Sequence, residues 1–163
     1  MSDRVMVSFD FGGKFDGEKF DAFTDLMLTM GLSIYYEDTK DLTDLRRRLT
    51  AQANKGNAGN ITGKLIDLME LEELYDFCGE HRIGFVSNVH STGDYDGDRT
   101  IWKPGWKHRK HWFTMNSEAS EMMVRHEQLL DWEGKGWTIK RILDHMRLYE
   151  QRPPEFIYTP HVV

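Results

Sequence analysis

The chain has a single cysteine, Cys78, among 163 residues. That excludes an intramolecular disulfide and any zinc module built from several cysteines, and it suits a reducing compartment, so a cytoplasmic protein is expected. No apolar run reaches the roughly eighteen residues of a membrane span, and the start MSDRVMVSFDF has no basic segment followed by an apolar one. Neither a membrane span nor a signal peptide is expected. Internal repeats and low-complexity segments are also missing.

What the chain does contain belongs to a folded protein. Aromatic residues make up 12% and charged residues 29% of it, and disordered chains are poor in the Trp, Phe and Tyr found here. The length suits one domain spanning residues 1–163 with a hydrophobic core of its own.

The formal net charge of −6 is unevenly distributed. Between Arg99 and Trp112 there are five Lys or Arg and no carboxylate, leaving the rest of the chain with 16 basic against 27 acidic residues. A negative chain resists general polyanion binding, whereas a local basic strip can still hold a phosphate or an acidic surface.

Pattern and turn chemistry predict the elements. Arg4 to Phe11 alternates, with Val5, Val7, Phe9 and Phe11 on one face, as in a half-buried strand. Asp16 is placed to cap a helix carrying Phe20, Phe23, Met27 and Met30, which Gly31 ends. A short β-rich run, LSIYYE at 32–37, would complete a β-α-β opening. Thr39 or Asp41 caps the next helix, with Leu42, Leu45 and Leu49 on one stripe and Arg46 to Arg48 as a solvated face. Asn54 to Gly63 reads as a loop, and Thr62 to Cys78 as a helix apolar on more than one face, with Cys78 in the core.

Residues 83–115 then read as a three-stranded antiparallel meander, with strands at 83–91, 99–103 and 109–115. Asn116 or Ser117 caps a helix, a second helix runs over 138–150, and Pro153-Pro154 precedes a last short strand at 156–159. The expected fold is α+β: a mixed sheet covered by helices, with a β-α-β start and a C-terminal helical hairpin.

The hairpin Arg99 to Trp112 is the best candidate for function. Its basic residues Arg99, Lys103, Lys107, Arg109 and Lys110 alternate with Trp102, Trp106 and Trp112. Cations neutralise phosphates and indole faces stack on bases, so these eight residues are the expected binding surface and nucleic acid the leading partner. The competing reading buries the tryptophans and leaves the lysines to guard an edge strand.

Other constellations are weaker. His108 and His111 fall on opposite faces of a strand, and His90 with Asp94, Asp96 and Asp98 lacks the spacing of a calcium loop. Asp10, Asp38 and Lys40 together suggest a metal-dependent phosphodiester hydrolase. His90-x-Thr92 resembles half of a two-histidine phosphodiesterase motif, without its second half. Residues 129–147 are loosely similar to a helix-turn-helix, though the linker is too long. The acidic first half, with 16 acidic and 9 basic residues over Met1 to Glu80, would suit an inhibitor or accessory factor that engages a basic protein. The expectation is a binding protein with no catalytic residues, metal or cofactor.

Overall fold

The computed structural model describes residues 4–35, 41–91, 96–116 and 121–160. Strand β1 (Arg4–Phe15) leads into helices α1 (Gly17–Met30) and α2 (Leu42–Gln52). Strand β2 (Gly59–Asp67) and helix α3 (Leu68–Glu80) follow, and then strands β3 (Gly84–Val89), β4 (Gly97–Trp102) and β5 (Lys110–Met115). Helices α4 (His126–Gly134) and α5 (Ile139–Arg147) and strand β6 (Phe156–Tyr158) close the chain. The sheet order is β2-β1-β3-β4-β5, and these pairs are all antiparallel. β6 adds to the end of β1 in parallel, so the sheet is mixed and the fold is α+β.

Local chemistry sets the helix boundaries. The Asp16 carboxylate accepts from the Lys19 amide at 2.8 Å, and Gly31 ends α1 in the left-handed region at φ 80°. Asp41 caps α2 through the Asp44 amide at 2.8 Å, and Thr138 caps α5 through the Arg141 amide.

Two apolar layers flank the sheet. On one face Val5, Val7, Phe9 and Phe11 of β1 and Phe85 of β3 pack against Phe23 of α1, Leu49 of α2 and Leu74 of α3. On the other, Val86, Ile101 and Trp112 meet Trp132 of α4 and Tyr149 after α5. Alternation along the meander therefore produces two buried faces in its half of the sheet.

Three expectations are corrected. The run at 32–37 does not supply the second strand: its described part makes one isolated bridge, Ser33 to Thr62, and residues 36–40 lie outside the described set. The second strand is instead β2, antiparallel to β1, in the stretch read as a loop and the start of a helix. The apolar run 62–78 is thus two elements, divided at Asp67, whose carboxylate accepts from the Met69 amide at 2.8 Å. Helix α4 starts only at His126, after a bridge between Met115 and Met122.

The C-terminal segment crosses β1 closely enough to forbid a side chain. A Cβ on Gly12 would lie 1.6 Å from the Pro154 carbonyl oxygen. Gly12→Ala should therefore lower stability by about 3 kcal/mol, as severe overpacking does. Gly31→Ala meets no atom within 4 Å and should cost only about 1 kcal/mol, the strain of its positive φ. Urea unfolding of the two variants checks the order.

Candidate functional site

The meander splits the predicted strip between core and surface. Trp112 is buried in the layer under α4 and α5, with its indole N–H donating to the Met123 carbonyl at 3.0 Å. Trp102 is buried in the other layer and donates to the Trp106 carbonyl at 3.1 Å, while Trp106 is half-buried against both. Neither Trp102 nor Trp112 presents a free ring face for stacking. The exposed aromatic of this hairpin is Phe113, 72% accessible and stacked on His111.

The cations divide in the same way. Arg99 is half-buried, donating to Asn88 Oδ1 at 2.7 Å and to the Tyr149 carbonyl at 3.1 Å. Burial draws its guanidinium below the usual arginine range, against Glu150 and Asp10. Arg109 is held by Glu72 at 2.7 Å and Asp76 at 2.8 Å. Lys110 lies over the Trp106 ring. Lys103 donates to Gln151 Oε1, and Lys107 is exposed. Of the five predicted cations only Arg109 forms an ion pair among the described residues, and Lys103 and Lys107 stand in the turn 103–107.

That turn stands at one end of the sheet, where the structure gathers basic residues distant in sequence. A cleft of about 590 Å³ is lined by Lys14 at the end of β1, Lys19 of α1, His81 and Arg82 after α3, and Pro104 of the turn. Among the described residues, Lys14, Lys19, Arg82, Lys103 and Lys107 form no ion pair. Elsewhere Arg46, Arg47, Arg48, Arg125, Lys135, Lys140 and Arg147 are paired, while Lys55, Lys64, Arg141 and Arg152 form no ion pair among the described residues. Burial holds the Lys19 ammonium below the usual lysine range, opposed by Asp16 and reinforced by Arg82. Glu155 also lines the cleft, but its Oε1 accepts from the Gly56 amide at 2.8 Å.

Arg82 itself sits at φ 56° directly after α3, where glycine is the usual residue. The left-handed region costs a residue with a Cβ about 1 kcal/mol. A charged side chain kept at such a position is a reason to look for a function there. Sequence reading missed Lys14, Lys19, His81 and Arg82, because only the pairing of β1 with β3 brings them together.

The other constellations fare differently. His108 is exposed in the turn, whereas His111 is on β5 with its Nε2 3.3 Å from Asp98 Oδ2. Asp96 pairs with Arg125, and Asp94 lies outside the described residues. So do Asp38, Lys40 and Thr92. No group of three or more His, Cys, Asp or Glu suited to a metal occurs among the described residues. In the acidic first half, Asp21, Asp25 and Asp44 pair with the Arg46 to Arg48 run. No described helix is long and apolar enough to cross a membrane. The Cys78 thiol is fully buried, and burial pushes its pKa upward, away from nucleophilic reactivity.

Compared with protein-family models, with curated proteins and with solved structures, the chain matches none.

Asp10 is on the sheet's second face, where Asn60 Nδ2 donates to its Oδ1 at 2.6 Å and to Ser8 Oγ at 3.3 Å. Burial raises the Asp10 carboxyl above the usual range, opposed by Asn60, Arg99 and Arg152. The native state then holds that proton more tightly than the unfolded chain, so the destabilising contribution is full above the native pKa and fades as pH falls toward the unfolded value. Asp10→Asn should raise the melting temperature at pH 7, and its advantage over wild type should shrink on acidification. Thermal unfolding across pH 3–8 measures both.

Proposed function

We propose that this protein binds a phosphate-bearing partner, nucleic acid foremost, through the basic end of the sheet centred on the turn 103–107. The observation that carries this reading is a cleft lined by Lys14, Lys19, His81 and Arg82, in which Lys14, Lys19 and Arg82 form no ion pair among the described residues and the one lining carboxylate, Glu155, accepts from the Gly56 amide. Pro104 of the 103–107 turn also lines it, with Lys103 next to it in the chain and Lys107 exposed at the end of the turn. Like charges held close repel, and an anion relieves that repulsion.

Recognition here is electrostatic. With Trp102 and Trp112 buried, neither of these indoles is open to base stacking, and the affinity rests on phosphate contacts and counterion release. Such contacts position a strand without reading its sequence. The negative charge over the rest of the chain confines the strand to this end.

The test is the salt dependence of binding to a short single-stranded oligonucleotide, measured by fluorescence anisotropy. Lys103→Gln with Lys107→Gln should weaken binding at least about tenfold and reduce the slope of log K against log salt by about 1.4, or 0.7 for each lost contact. Arg82→Gly should also weaken binding while leaving stability unchanged or up to about 1 kcal/mol higher, since glycine suits the left-handed backbone. Affinity and slope unchanged in the folded double variant would refute the reading.

A further inference from the structure

The hairpin of α4 and α5 covers the second face of the sheet and leaves apolar side chains of its own in solvent. Trp132 of α4 and Tyr149 after α5 are buried on the sheet, with Ile142 and Met146 packed beside them. Nine large hydrophobic residues among those described are exposed, and five of them, Met123, Leu129, Leu130, Ile139 and Leu143, fall in or just before this hairpin. Ile139 is 77% accessible and Leu130 51%. Ile139 and Leu143 are one helical turn apart and share a stripe on α5 distinct from that of Ile142 and Met146. A helix that is apolar on more than one side packs on more than one side.

The charges on the two helices say what covers that face. α4 carries Glu127, Asp131 and Glu133 and no Lys or Arg, whereas α5 carries Lys140, Arg141 and Arg147 against Asp144 alone. The ion pairs are local to each helix: Lys135 takes Asp131, while Lys140 and Arg147 share Asp144. Among the described residues Glu127, Glu133 and Arg141 form no ion pair, and no ion pair joins α4 to α5. The helix dipoles do not account for the placement either. Carboxylates suit a helix's first turn and cations its last, yet Asp131 and Glu133 lie in the last turn of α4, and Lys140 and Arg141 in the first turn of α5.

We propose that this hairpin is the interface of a two-fold homodimer, with α4 of each copy lying on α5 of the other. In a two-fold interface the same patch serves both copies, so a surface that joins an acidic helix to a basic one complements itself. Leu129 and Leu130 meet Ile139 and Leu143 of the second copy, and the carboxylates of α4 meet the cations of α5 around them, an apolar centre with a polar rim. A bilayer surface fits less well, since the anionic headgroups that draw α5 repel α4. This inference does not rest on the anion-binding reading, and its test uses no nucleic acid.

Sedimentation equilibrium of the full chain measures the association. Wild type should form a dimer with a Kd below about 100 μM. Ile139→Ser with Leu143→Ser should weaken it at least about tenfold, since each side chain buried contributes more than 1 kcal/mol. Two charge variants give an independent readout. Glu127→Lys with Glu133→Lys makes both helices basic, and Lys140→Glu with Arg141→Glu makes both acidic. Each variant alone should associate at least about tenfold more weakly than wild type, and an equimolar mixture should form a one-to-one heterodimer, because opposite charges then face each other at both helix contacts. Every substituted residue is exposed, and circular dichroism checks that the fold is kept. A wild-type monomer at about 100 μM, a dimer that survives Ile139→Ser with Leu143→Ser, or a mixture that associates no better than its components would each overturn the proposal. Binding of a non-associating wild-type chain to phosphatidylcholine–phosphatidylserine vesicles would overturn it too, and would assign the face to a membrane surface.

Discussion

The contact of β1 with the segment before β6 is the constraint on which the rest of the structure depends. β1 carries β2 along one edge, β3 along the other and β6 at its far end, so three separate parts of the chain take their positions from it. The crossing is possible because Gly12 leaves room for the Pro154 carbonyl. Gly84, the β3 partner of Gly12, faces the Pro154 ring in the same way. With the segment seated there, Phe156 reaches the aromatic layer and stacks among Phe11, Phe15 and Phe20. A strand that pairs with three others cannot slip by one residue without turning Val5, Val7, Phe9 and Phe11 out of the core.

That placement also explains the charge pattern. The end of β1 and the start of β3 meet where Gly12 pairs with Gly84, so Lys14 and Arg82 arrive at the same end of the sheet, and α1 returns Lys19 to it. The 103–107 turn completes the wall because β4 is antiparallel to β3. Carboxylates meanwhile lie on α1, α2 and α3, where they meet Arg46, Arg47, Arg48 and Arg109.

Much of the fold was legible where local chemistry and periodicity agreed. Asp16 and Gly31 bound α1, and the turns around 103–109 divide β4 from β5 as their residues suggest. The stretch 59–80 was not legible in the same way. A strand carrying Ile61 and Ile66 runs directly into a helix carrying Leu71 and Leu74, and their joined apolar content resembles one helix packed on two sides. For the hairpin, alternation shows which residues share a face but not what covers that face. Trp112 is buried because α4 and α5, far along the chain, lie on it. The gathering of Lys14, Lys19 and Arg82 had no local signal, since it arises from strand pairing between distant segments.

The central claim is that the unmatched cations around the 103–107 turn form one anion-binding surface. The most direct measurement is a backbone amide NMR titration of the wild-type protein with a short single-stranded oligonucleotide at two salt concentrations. The account predicts shifts concentrated at Lys14, Lys19, Arg82, Lys103 and Lys107, weakening together as salt rises. Shifts confined to the Arg46 to Arg48 face of α2, or no shifts at low salt, would contradict it.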